Sequence, residues 1–161
     1  MLMKESLRKF TVCFTGHRHI PDDERHAIMT RLRETVVLLI SRGYRYFGTG
    51  GALGFDTLAA ETVLSLRDEY PHIKLILVLP CKDQTAKWRD ADVRVYNDIL
   101  TRADKVRYVC EEYTNGCMLM RNRHLVDNSS VCVCYLTKTS GGAAYTARYA
   151  KECGCEVKNL I

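Results

Sequence analysis

Residues 44–61, YRYFGTGGALGFDTLAAE, decide how the rest of the chain is read. A short β-rich run breaks into glycines at 48, 50, 51 and 54 and then turns helical at Phe55. Glycine has no Cβ to hold a ligand off, so backbone N–H groups in such a loop can converge on an anion. Asp56, Thr57 and the run Leu58-Ala59-Ala60 start a helix whose first N–H groups and dipole favour negative charge at the same place. Strand, glycine turn and helix start, in that order, read as a phosphate cradle. A ligand-free βα turn is the rival account, but four glycines within residues 48–54 exceed what a tight turn needs. Gly51 is expected to lie where backbone approaches ligand, so a valine there should block binding with little unfolding.

Outward from this stretch, apolar β-branched runs alternate with helical patterns, the signature of an α/β protein. Strands are expected over residues 10–15, 45–48, 74–79, 105–109, 131–135 and 156–159. Helices are expected over 23–42, 55–70, 88–101, 116–127 and 142–152. The pattern predicts a Rossmann-like three-layer α/β/α sandwich with a mostly parallel sheet of about six strands. Nothing rich in Pro, Gly or Ser divides the chain, so residues 1–161 are read as a single domain.

Composition excludes several classes. Hydrophobic residues make up 47% and charged residues 27%, which argues for a packed core over disorder. The longest apolar run, residues 36–40, is too short to span a bilayer, and MLMKESLRKF lacks the apolar core of a signal peptide. A cytoplasmic protein with no membrane association is expected. In that compartment the eight cysteines should be reduced, and the spacings Cys132/Cys134 and Cys153/Cys155 are CxC, unlike zinc ribbons or redox C-x-x-C sites. No metal is expected. Cys13, Cys110, Cys132 and Cys134 fall in strand-like runs, where cysteine acts as a small buried hydrophobe. A net charge of +5 suits an anionic ligand but is too spread along the chain to imply nucleic acid by itself.

Ligands of open parallel sheets sit beyond the carboxyl ends of the strands, so the loops after the strands hold the candidate residues. In the first, GHRHIPDD, Gly16 lets the backbone turn beside a ligand and Arg18 can fork onto phosphate or carboxylate. His17 and His19 read as solvent-exposed or locally hydrogen-bonded. In the third, PCKDQTAKW, Gln84 supplies hydrogen bonds, and Trp88 either stacks on a base or packs in the core. In the helix around Arg121-Asn122-Arg123, the spacing Leu119, Asn122, Val126 turns Asn122 inward as a site or structural amide. Arg121 shares a face with Met118 and Leu125, and Arg123 faces solvent. The loop TKTSGGAAYT repeats the glycine logic: Ser140, Gly141 and Gly142 open a helix, with the Thr146 hydroxyl one turn on.

The series FTGHR, GGALGFD, PCKDQTAKW, Tyr113, RNRHLVD and SGGAAYTARYA resembles the YpsA-like family of the SLOG superfamily, which groups DprA with the LOG phosphoribohydrolases. The resemblance covers nearly the whole chain. It implies a Rossmann-like fold, a nucleotide or nucleotide-derived ligand, and pairing of subunits into a homo-oligomer. The matching positions are Gly16, Arg18, Gly50, Gly51, Gly54, Asp56, Arg121, Asn122, Gly141, Gly142 and Thr146. LOG enzymes carry PGGxGTxxE at the second glycine loop, and its glutamate is thought to serve N-glycosidic cleavage. This chain has SGGAAYTAR, with Ser140 for the proline and Arg148 where the glutamate would fall. An arginine cannot do a carboxylate's work at an oxocarbenium-like centre.

Binding or sensing of a small anionic nucleotide-like ligand, with no required cofactor, is therefore the leading expectation. The alternative is a nucleoside-phosphate hydrolase with Asp56 or Glu61 as acid/base and Arg121 as anion clamp. Single-stranded nucleic-acid binding ranks third, since no dense basic patch or aromatic series is evident. A dinucleotide dehydrogenase would carry its glycine fingerprint after the first strand, whereas here it follows the second.

Overall fold

The computed structural model of this chain describes residues 7–161; residues 1–6, which carry part of the N-terminal reading, lie outside them. Six strands alternate with five long helices: β1 (Thr11–Gly16), α1 (Asp22–Ser41), β2 (Tyr46–Thr49), α2 (Phe55–Leu66), β3 (Lys74–Leu79), α3 (Asp90–Arg102), β4 (Lys105–Tyr108), α4 (Cys117–Asp127), β5 (Val131–Tyr135), α5 (Gly142–Glu152) and β6 (Glu156–Asn159). All strands pair in parallel in the order β4-β3-β2-β1-β5-β6. The expected Rossmann-like α/β architecture is the observed one. Helix α2 stops at Leu66 rather than at residue 70; a turn follows it, and Pro71 disfavours helical backbone at Tyr70. Strand β4 ends at Tyr108, leaving Cys110 beyond it and only half-buried, whereas Cys13, Cys132 and Cys134 are buried in strands as expected. Among the described residues no helix is long and apolar enough to cross a membrane.

Alternation along each strand builds two cores. Val12 and Phe14 of β1 join Val131, Val133 and Tyr135 of β5 under Leu32 and Val36 of α1 and Leu58 of α2. The intervening Cys13 and Cys132 face the other way, against Leu125 and Val126 of α4 and Ala150 of α5. Strand side chains point to opposite faces at successive residues, so one sheet is covered on both sides and three layers result. The chain walks outward from β1 to β4, then crosses back to lay β5 on the other side of β1. At that reversal the loops after β1 and β5 diverge and leave a crevice above their carboxyl ends.

Candidate functional site

A cleft of about 290 Å³ occupies this crevice. Its walls are Thr15, His17 and Arg18 from the end of β1, Ala52 and Asp56 from the turn into α2, and, on α4 and α5, Met118, Arg121, Asn122 and Gly142. A second recess of about 440 Å³ adjoins it, sharing His17 and Arg18 and reaching Glu24, Tyr135, Thr137 and Lys138.

Two glycines lock the β1 loop to α2. A Cβ on Gly16 would sit 2.5 Å from the Phe55 ring, and one on Gly54 would collide with the Arg18 carbonyl and lie 2.7 Å from the Arg18 Cα. The Phe55 N–H donates to the His17 carbonyl at 3.1 Å, so the first turn of α2 is fastened to the loop that carries Arg18. The glycines at 50, 51 and 54 are thus covered by the protein's own atoms: Arg121 lies against Gly50, Leu79 against Gly51 and Arg18 against Gly54. The space beside Gly51 belongs to the packing under α3, since a Cβ there would come 2.5 Å from Leu79 and 3.4 Å from Tyr96. Valine at 51 should therefore disrupt folding, contrary to the expectation of little unfolding. Around Gly141 and Gly142, by contrast, the space is open.

Arg121 is the organising side chain. It is 5% exposed. Its Nη1 donates to the Gly50 carbonyl, its Nε donates to Asn122 Oδ1 at 2.7 Å, and Nη2 lies 3.7 Å from Met118 Sδ. The buried stripe of α4 is Cys117, Arg121 and Leu125 with Val126, so Arg121 turns inward ahead of the half-buried Asn122, and Leu119 is exposed. Arg123 faces solvent and donates to the Tyr145 hydroxyl at 2.5 Å.

Asp56 sits across from Arg121 at the base of the cleft, buried, with its Oδ2 accepting from the Ala52 N–H at 3.2 Å. Burial pushes its carboxyl pKa up, opposed by the positive charges of Arg121 and Arg18 and by the Ala52 N–H. Burial in turn lowers Arg121, opposed by Asp56. Both shifts say that desolvation exceeds mutual attraction, as expected of opposite charges taken out of water. A carboxyl so placed can hold a proton or accept from a ligand hydroxyl.

The other sequence candidates fall elsewhere. Glu61 lies on the α2 flank with Arg25, Asp98 and Arg102 as its charged neighbours. Trp88 packs edge-on against Tyr96, ring centroids 5.5 Å apart, so packing is the contact it makes. Both atoms of the Gln84 amide are buried without a hydrogen-bond partner, behind Gly51. The Thr146 hydroxyl donates to the Gly142 carbonyl at 2.8 Å within α5, while Ser140 and Gly141 stay exposed on the loop.

His17 is the cleft residue that sequence reasoning undervalued. Its Nε2 accepts from the Thr137 N–H at 2.9 Å, and its ring meets Tyr135 edge-on at 5.7 Å, so one imidazole bridges the two loops at the crevice. Burial, then the charge of Lys138, lowers its pKa from the ordinary 6.5. The folded imidazole thus holds its proton less tightly than the unfolded chain does, and stability should be lost as pH falls from 6.5 through the lowered value. Urea midpoints should drop between about pH 7 and pH 5, and drop less in His17→Phe, which keeps a ring against Tyr135 but cannot be charged. Equal slopes for the two proteins would show that the bridge does not carry the dependence.

A family model described as the YspA SLOG family matches residues 12–158 of this chain. The chain belongs to the YpsA SLOG family. A UPF0398 protein of Halalkalibacterium halodurans is 31% identical over 128 residues, covering 78% of this chain and 68% of that relative. DNA processing protein A of Streptococcus pneumoniae superposes with a TM-score of 0.69 at 19% identity, over 94% of this chain and 50% of the other. The Helicobacter pylori DNA processing protein A gives 0.66 at 20% identity, over 98% of this chain and 67% of the other. The YpsA-family chain thus spans half to two thirds of these two proteins, and at such identity the likeness is one of fold. Arg148, at the LOG glutamate position, stands on the exposed side of α5 with Nη1 donating to the Thr139 carbonyl at 3.0 Å, and it is not among the cleft residues.

Proposed function

We propose that this YpsA-family chain binds a nucleotide or nucleotide-derived small anion in the cleft above β1 and β5. The observation that carries the reading is the convergence of Arg18, Arg121 and the first turn of α5 on one cleft whose single carboxylate, Asp56, is disfavoured as an anion by burial. Free N–H groups of a helix start and guanidinium forks both suit phosphate oxygens. The adjoining recess suits the rest of a nucleotide. The His17 ring, held from behind by buried Tyr135, is the aromatic surface there, and the Glu24 carboxylate, which accepts from the Tyr135 hydroxyl at 2.6 Å, is a partner for ribose hydroxyls.

The test begins with denaturing purified protein and identifying released small molecules by mass spectrometry, followed by calorimetry with each hit and with a panel of nucleoside monophosphates. Arg18 is exposed, so Arg18→Ala should leave the urea midpoint unchanged while weakening binding by about tenfold or more, the value of one charge-assisted contact. Nucleotides that bind no better than inorganic phosphate, or equally to Arg18→Ala, would sink the proposal.

A hydrolase reading is favoured by one feature, the Asp56 carboxyl lining the cleft with its pKa raised by burial. Release of free base in the same incubations, lost in Asp56→Asn, would support it.

A further inference from the structure

We propose a second ligand site in the groove between α5 and the β5–β6 edge, which shares no residue with the nucleotide cleft and only Thr137 and Lys138 with the recess beside it, and assign to it an amphiphilic organic anion. The groove encloses about 600 Å³, more than the cleft itself. Its floor is apolar, made by Leu136, Ala147 and Val157, and its rim carries Lys138, Arg148 and Lys151 with no carboxylate among the lining residues. Arg148 and Lys151 stand three apart on one face of α5, as neighbours on a helix surface do. The Arg148 guanidinium is already held by its bond to the Thr139 carbonyl, so its remaining N–H groups are presented with little further ordering. Neither Lys138 nor Lys151 forms an ion pair among the described residues.

This makes sense of Arg148, the residue that departs from the LOG pattern and serves nothing in the cleft. An apolar body would cover the floor, and a carboxylate, sulfonate or phosphate would meet the cations at the rim. An uncharged apolar ligand would leave the three cations unused, and inorganic phosphate alone would leave the floor bare.

Anilinonaphthalene sulfonate, a flat apolar body with one sulfonate, is the test ligand. Fluorescence titration of the folded protein should show one saturable site per chain whose affinity falls as salt rises. Arg148→Glu/Lys151→Glu should lose tenfold or more in affinity, and Lys151→Glu alone, which breaks no hydrogen bond, should lose several-fold. Arg18→Ala, a change confined to the cleft side, should bind the dye as the parent does. This arm separates the groove from the proposed nucleotide site, whose failure would leave the dye result untouched. No saturable binding, equal affinity in the glutamate variants, or loss of the dye in Arg18→Ala would overturn the assignment.

Discussion

Arg121→Ala should cost this fold about 3–5 kcal/mol at neutral pH, the sum of a large-to-small change in a buried site and the loss of hydrogen bonds from a charged donor. The loss has three parts. The Gly50 carbonyl and Asn122 Oδ1 lose their donors, Asp56 loses the cation that most opposes its raised pKa, and a void opens between α4 and the turn after β2. The pH dependence separates the second part from the others. Asp56 is already raised from its ordinary 3.8, and removing the positive charge of Arg121 must raise it further. The folded variant then binds that proton more tightly than its unfolded chain, so its stability falls as pH rises through the window above 3.8 and recovers as pH falls back through it. The deficit of Arg121→Ala against the parent should therefore shrink in acid. Arg121→Ala/Asp56→Asn should be less destabilised than the sum of its single changes, because the amide needs no cation. Urea unfolding of the four proteins at neutral and acid pH measures both effects. An additive cycle with no pH dependence would mean that Arg121 acts only through its hydrogen bonds and volume.

The elements of this fold were legible because each is announced locally. Strands β3, β5 and β6 and helix α5 have the expected bounds, and each is a clean apolar or amphipathic run closed by a turn residue. The residue types of the site were legible for the same reason, since Gly16, Arg18, Asp56 and Gly142 reach the cleft from strand ends and the first turns of the helices that follow, and Arg121 and Asn122 from the helix that precedes β5. What local pattern cannot carry is which loops meet. His17 earns its place only because β5 pairs with β1, which brings Thr137 to a residue far away in sequence. Nor can a glycine's neighbour be read from its own loop. The richest glycine run is packed by Arg121, Leu79 and Arg18, whereas the plainer Gly141-Gly142 pair has open space around it. Trp88 packs on Tyr96, one of the two readings open to it, whereas the hydrogen-bonding capacity of Gln84 does not foretell its burial behind Gly51.

Gly54→Ala should be more damaging than Gly141→Ala, although both positions have left-handed backbone, φ 80° and φ 98°. Strain of that kind costs about 1–3 kcal/mol for a residue with a side chain, and it applies to both. At Gly141 nothing lies within 4 Å of the added methyl, so strain is the whole effect. At Gly54 the methyl meets the backbone of Arg18, which has no flexible end to swing aside. The β1 loop must then move away from α2, and the Phe55 N–H to His17 carbonyl bond has to break with it. Displacing that loop also carries off Arg18 and the His17 bridge to Thr137, so the proposed anion site should fail together with the fold's local order. Urea unfolding should place Gly54→Ala below Gly141→Ala, and amide exchange should show Phe55 and Thr137 deprotected in the first variant but not in the second. If the two variants lose the same stability and Phe55 stays protected in both, the contact between Gly54 and Arg18 yields easily, and the position of Arg18 is not set by the start of α2.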